Sequence, residues 1–348
     1  MPDAPLPATP VDPVQAALIE PITHAGKQIL RSRQIQSVMF NDGSAQLIVL
    51  TKRAAPVTKK QLAVLPKSLD GVEIAYRQGV TSPIGGPPAA PFGGPAYVVR
   101  QVAGVATYTC GSSISVGNFR DAGTLGCLVR DGAGVLHGLS NNHVSGSCSF
   151  AGVGLPILAP GVHDVAAGGL PPFTLGFHVS SLPMVAGSAD NVSAAGNLDA
   201  AIFRIASEGL ASSFQGGAYD TPGGFGLLVP GTEVEKVGRT TGHTKGKVLG
   251  QLNGPFPIRY SAALYNFNGD VSFDPVFAIV GLTDSFSDSG DSGSLITTVD
   301  ATGTRTAVGI VVGGMNDGSA PGGKLTIALP IGPTLQALGV TLVSGHNV

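Results

Sequence analysis

The sequence predicts a mainly β protein, a barrel or sandwich preceded by a small α/β unit, and three observations carry that prediction. Gly (51) and Pro (26) are frequent enough in 348 residues to supply many tight turns. Downstream of about residue 100 the chain becomes a series of short apolar runs separated by Gly, Asn and Asp. Hydrophobic residues make up 43% and charged residues only 12%, the balance of a chain that buries a core.

Taken in order, the first ten residues carry no periodic pattern. Asp12-Pro13 then opens a short helical stretch with Val14, Leu18 and Ile22 on one face, bent or ended at Pro21. Runs at 35–40 and 45–51 read as strands, joined by the hairpin signal "NDGS". Thr58 and Gln61 have capping-box spacing and open a helix that stops at Leu65-Pro66. Val72, Ile74 and Tyr76 alternate as a strand. Residues 1–80 therefore read as a small α/β domain. The stretch "TSPIGGPPAAPFGGPA" opens a linker over 81–100, because no regular element persists through that density of Pro and Gly. In the remaining domain, 101–348, strands are expected at 125–130, 135–140, 200–205, 233–238, 247–252, 276–282, 294–298, 307–312 and 324–328. A closing helix is expected at 333–338.

Composition narrows the function. A net charge of -2 offers no basic face to nucleic acid. No run of 18 apolar residues predicts a membrane span. The start "MPDAPLPATPVDPVQ" lacks the basic and apolar regions of a secretory signal, so the expectation is a cytoplasmic protein, or one exported by a non-standard route. Cys110, Cys127 and Cys148 are too few for a disulfide framework and read as three buried thiols or as one bridge near the site. No His, Cys and carboxylate spacing points to a metal, and no cofactor is expected.

The chemistry centres on "GDSGSL", residues 290–295. A serine that attacks a carbonyl needs a base, an acid to orient the base, N–H donors for the oxyanion and a turn that exposes its hydroxyl. Ser292 fits the nucleophile, with the N–H groups of Gly290 and Ser292 as the oxyanion hole. Of seven histidines, His143 in "SNNHVSGS" stands out because it directly follows a strand. His24, His137, His163, His178, His243 and His346 read as surface or hydrogen-bonded core residues. Asp199, at a strand start in "GNLDAAIFRI", is the best orienting acid; Asp164 and Asp190 remain alternatives.

The order His143, Asp199, Ser292 and the segments "AGTLGCLVRDGAGVLHGLSNNHV", "LDAAI", "KVGRTTGHTKGKV", "GDSGSL" and "AVGIVVGG" resemble the chymotrypsin-fold (trypsin-like) serine peptidases. The chain is most similar to bacterial trypsin-like proteins with an extra N-terminal α/β segment, which also resemble the plant NARROW LEAF-type proteins. The resemblance implies a chymotrypsin-like double β-barrel with the active site between the barrels. It also implies a peptide substrate and a catalytic triad of His143, Asp199 and Ser292. "GRTTG" then reads as a hairpin turn early in the second barrel. By the same resemblance Phe286 would floor a specificity pocket walled by Val311, Val312, Gly313 and Gly314, favouring small or apolar side chains. Val312 stands where trypsins carry a serine that supports the acid. Arg100-Gln101 would be an exposed cleavage site if residues 1–80 were an inhibitory pro-segment.

The resulting expectation is a serine endopeptidase. A non-catalytic or self-processing binding module on the same fold is the main alternative. An α/β-hydrolase fits less well, since it places Ser before His in the chain.

Overall fold

The computed structural model describes residues 35–41, 44–51, 65–69, 71–84, 87–119, 121–165, 169–187 and 191–348. The two helices expected near the N-terminus, at Val14–Ile22 and after Thr58, fall outside these residues, as does Asp190.

The N-terminal sheet contains β1 (Ile35–Asn41), β2 (Gln46–Thr51), β3 (Ser68–Leu69) and β4 (Val72–Gln78), in the order β1-β2-β4-β3. β1 and β2 form the expected antiparallel hairpin, and β4 adds parallel to β2. One face of this sheet is not its own. Met39, Ile48 and Leu50 are fully buried in a core shared with Leu252, Phe256 and Val276 of the C-terminal half. Gly250 makes this approach feasible, because a Cβ there would meet the Phe40 carbonyl at 2.6 Å. Arg77 ties β4 to Asp317 at 3.0 Å.

The next eleven strands build the first half: β5 (Val99–Val102), β6 (Val105–Cys110), β7 (Ser113–Val116), β8 (Gly123–Thr124), β9 (Cys127–Asp131), β10 (Leu136–Ser140), β11 (Pro156–Ala159), β12 (Phe173–Ser181), β13 (Ala201–Ile205), β14 (Ala211–Gln215) and β15 (Tyr219–Asp220). A four-residue helix, α1 (Asn142–Ser145), follows β10. Leu128, Leu136, Ile157, Leu175 and Phe203 fill the core of this half. Gly138 and Gly176 are required there, since a Cβ at either would strike the Phe203 ring.

The second half contains β16 (Glu233–Gly238), β17 (Gly242–Leu252), β18 (Phe256–Ala262), β19 (Phe267–Phe273), β20 (Val276–Gly281), β21 (Leu295–Val299), β22 (Arg305–Asn316) and β23 (Lys324–Pro330). Six of them close into a barrel, β16-β17-β20-β23-β22-β21, and β18-β19 stands out as a separate hairpin. Helix α2 (Ile331–Leu338) and β24 (Val340–Leu342) end the chain. β24 crosses back to pair with β9, so the first half's sheet reads β24-β9-β10-β13-β12-β11-β7-β8. The mainly β, barrel-built class predicted from sequence is the class observed. The first half is a half-barrel and the second is fully closed. Among the described residues, no helix is long and apolar enough to cross a membrane.

The packing corrects one expectation and chooses between the two readings of the cysteines. Arg100 and Gln101 lie within β5, paired to β6, with the Arg100 guanidinium 3.8 Å above the Phe214 ring, so the pair is not an exposed loop. All three cysteines are free and buried. Burial pushes the Cys127 thiol up to about 12 and raises Cys110 and Cys148 as well, so all three stay protonated and inert.

Ile48 sits where the N-terminal sheet meets the barrel core. Ile48→Ala is expected to cost about 2–5 kcal/mol. Urea denaturation should still give one transition, reporting loss of β-sheet and barrel together; a separate early transition would show that residues 35–78 fold by themselves.

Candidate active site

The site forms where α1, the start of β13, the loop before β21 and the edge of β22 converge. His143 is held in α1 directly after β10, and β10 is held by ladders to β9 and β13 on its two sides. Asp199 lies two residues before β13 with its side chain fully buried. Its Oδ2 is 2.5 Å from His143 Nδ1, and its Oδ1 accepts the His143 backbone N–H at 3.0 Å. Asn141 Nδ2 donates to the Asp199 carbonyl at 2.7 Å. Imidazole and carboxylate are thus fixed to each other by both main chain and side chain.

A further donor comes from the other half. Tyr260, fully buried in β18, donates its hydroxyl to Asp199 Oδ2 at 3.1 Å, and its ring centroid lies 5.5 Å from that of His143. Burial, and then the Asp199 charge, push the phenol well above its ordinary value, so it remains a donor. Tyr260 was not legible as a site residue: it lies in a hairpin that sequence periodicity did not register. Its hydroxyl gives the Asp199 carboxylate a side-chain donor from the second half.

Ser292 and His143 line one cleft of about 160 Å³, together with Asp121, Gly290, Val311, Gly313 and Gly314. The loop carrying Ser292 is tightly determined. Gly290 and Gly293 adopt φ of +102° and +95°, a region that disfavours any side chain. The Ser292 carbonyl accepts from Thr124 N at 2.9 Å and the Gly290 carbonyl from Thr124 Oγ1 at 2.9 Å, so β8 of the first half holds the loop of the second. Ser292 Oγ donates to the Val312 carbonyl at 3.2 Å. Among the described residues no group accepts from the Gly290 or Ser292 amides.

Beneath the loop, Asp291 is wholly buried. It accepts from Thr240 N at 2.7 Å, Thr241 Oγ1 at 2.7 Å, Asp288 N at 3.0 Å and Lys236 Nζ at 3.1 Å. Lys236 is itself without exposed surface; burial lowers its ammonium from the ordinary value while Asp291 works against that. A cation from within the chain therefore neutralises Asp291 beneath the Ser292 loop. The "GRTTG" segment is the β16–β17 turn, as read from sequence, and it carries the two threonine donors.

Of the expected pocket residues, Val311, Gly313 and Gly314 line the cleft. Phe286 and Val312 do not. Phe286 is packed among Val248, Ile279 and Ile296 inside the closed barrel, and Val312 faces the main core, because an apolar side chain at either position gains more from burial than from lining a wet cleft. The lining near them is polar instead: Ser287, Ser289 and the ion pair of Asp288 with Lys324. Asp164 is engaged elsewhere, by Arg239 Nε at 2.8 Å and Ser113 Oγ at 2.5 Å. Among the described residues, no group of three or more His, Cys, Asp or Glu side chains is placed to hold a metal ion.

No family model and no curated protein matches the sequence. Solved structures do. The chain is similar to Protease A of Thermobifida fusca at 22% identity, covering 68% of this chain and 98% of that one, TM-score 0.44. It is similar to a Nocardiopsis protease at 20%, covering 67% and 97%, TM-score 0.43. A third is a glutamic acid specific serine protease described as using a histidine triad in substrate binding, at 19%, covering 68% and 100%, TM-score 0.45.

Replacing Lys236 with Met leaves Asp291 buried without its cation. The expected loss is about 3–5 kcal/mol, measured by denaturant titration. A loss under about 1 kcal/mol would mean that the backbone and threonine donors suffice.

Proposed function

We propose that the chain is a serine endopeptidase that hydrolyses peptide bonds through an acyl-enzyme, with Ser292 as nucleophile, His143 as general base and Asp199 as the orienting acid. The observation that carries this reading is the His143–Asp199 contact of 2.5 Å beside a cleft that Ser292 also lines. With Nδ1 committed to Asp199, Nε2 is the nitrogen left to take the serine proton. Rotation of Ser292 about Cα–Cβ exchanges its bond to the Val312 carbonyl for one to His143, a staggered-rotamer change that substrate binding would favour. Attack on the peptide carbonyl moves negative charge onto its oxygen, where the Gly290 and Ser292 amides stabilise it. Imidazolium, held by Asp199 and Tyr260, then returns the proton to the leaving amine, and water repeats the cycle to release the acid.

Lys236 gives the proposal a second part: the loop holding Ser292 is set without cleavage of the chain. We further propose the division inferred from sequence, with 1–80 as a supporting N-terminal domain, 81–100 as a connecting segment and 101–348 as the peptidase domain. A binding module without catalysis is the second reading, favoured by the Ser292–Val312 bond.

Fluorophosphonate labelling with peptide mapping separates the two readings: modification is expected at Ser292 of the uncut chain, and none under native conditions favours the binding module. Ser292→Ala should lower peptide hydrolysis by roughly 10⁴ or more with the fold intact, and Asp199→Asn by about 10⁴ because the imidazole is then held in the wrong tautomer.

Tyr260→Phe should lower kcat about tenfold, the worth of a hydrogen bond to a buried charge, with KM little changed. An unchanged kcat in a well-folded Tyr260→Phe variant would reduce Tyr260 to a packing residue.

A further inference from the structure

Residues 81–84 and 88 of the connecting segment lie at the cleft. β22 is paired to β23 along Gly309–Asn316, but to β21 only as far as Ile310. Beyond that point the serine loop continues along its other edge, with Val311 N donating to the Ser294 carbonyl, Gly293 N to the Val311 carbonyl and Ser292 Oγ to the Val312 carbonyl, and there the loop's bonds to the edge end. Two residues further along, the edge is taken again. Ser82 N donates to the Gly314 carbonyl at 3.0 Å, and Thr81 forms an antiparallel bridge with Met315.

The segment then leaves β22 for β18. Ile84 N donates to the Arg259 carbonyl and Ser261 N to the Ile84 carbonyl, both at 2.8 Å. The Ile84 side chain lies over Gly313, where an added Cβ would come within 3.0 Å of it. Further on, Ala89 N bonds the Ser289 carbonyl and Phe92 N the Thr240 carbonyl. Ser82, Pro83, Ile84 and Pro88 are part of the cleft wall.

An extended peptide binds an open sheet edge by continuing its ladder. Here the open stretch runs from Val312 to the residue before Gly314, about 7 Å at a rise of ~3.3 Å per residue. The strap runs antiparallel to β22, so its residue numbers rise toward Ser292. A peptide paired in the same sense would reach Ser292 with its C-terminal side and would need the position of Ser82 for its third residue.

We propose that Thr81–Ile84 is a fixed, substrate-like strand that takes the third pairing position on the acyl side of the cleft, so that a substrate is held along β22 through at most two residues before the scissile bond. This rests on the peptidase reading and narrows it. Everything further toward the substrate's N-terminus competes with the strap's own hydrogen bonds and with Ile84.

The test is a length series. Wild-type protein is given aminomethylcoumarin substrates with two or four alanines before the scissile bond. The two-residue substrate should show a kcat/KM at least tenfold higher than the four-residue one. A double variant, Ser82→Pro with Ile84→Gly, removes the donor and the side chain over Gly313 and should reverse the preference. The wild-type series needs no variant to fold: a kcat/KM that rises tenfold from two to four residues overturns the proposal.

A second arm does not need catalysis. Ser292→Ala protein is titrated with di- and tetra-alanine by calorimetry, with and without the strap changes. Tighter binding of the tetrapeptide with the strap intact overturns the proposal, whereas tighter binding only after the changes supports it. Fluorophosphonate labelling of Ser292 reports on the peptidase reading separately, so a failed strap and a failed nucleophile give different results.

Discussion

Two carboxylates without exposed surface, Asp199 and Asp291, must each be surrounded by donors, because an unpaired buried charge would cost several kcal/mol. That requirement organises the seam between the halves. Asp199 belongs to the first half but takes its hydroxyl donor from Tyr260 of the second. Asp291 takes its donors from the β16–β17 turn and from Lys236. Neither carboxylate can be satisfied unless strands distant in sequence are in register, so the geometry around His143 and Ser292 follows from folding itself.

Other contacts at the seam act in the same direction. Thr124 bonds both carbonyls flanking Asp291, and a Cβ at Gly293 would collide with Ser140 and the Thr124 carbonyl. Arg239 of the second half pairs with Asp164 of the first, both nearly without exposed surface. β24 carries the C-terminus back onto β9. The N-terminal sheet adds Met39, Ile48 and Leu50 to the core on which β18 rests. Tyr260 therefore stands on a surface supported from three parts of the chain, and the strap through Ile84 is bonded to the same strand.

The strap also gives the cleft its proportions. A Pro- and Gly-rich segment cannot form regular structure, yet it can run extended along an existing edge and donate wherever it is not proline. Ser82 and Ile84 do so, and Gly93 lies so close to the Thr241 carbonyl that no side chain would fit. What composition presents as a loose connection is bonded at four points beside the site.

Sequence by itself determined the mainly β class and most strands of the second half, and pointed to His143, Asp199 and Ser292 as candidates, because these depend on local pattern: alternation, turn residues, and a short glycine-rich turn around a serine. β16 matches its expected bounds, while β17 and β22 extend beyond theirs because tertiary ladders prolong strands past their apolar runs. The strands β5–β7, β11, β12, β14, β18 and β19 were missed, since half-exposed or Ser- and Thr-rich strands carry little periodic signal. Only the tertiary structure decided that Phe286 and Val312 face the core and that Lys236 neutralises Asp291. It alone placed Tyr260 behind the imidazole and the strap against Gly314. Each of these joins residues dozens or hundreds of positions apart, and burial of charge and apolar surface, which no local pattern records, chooses among such pairings.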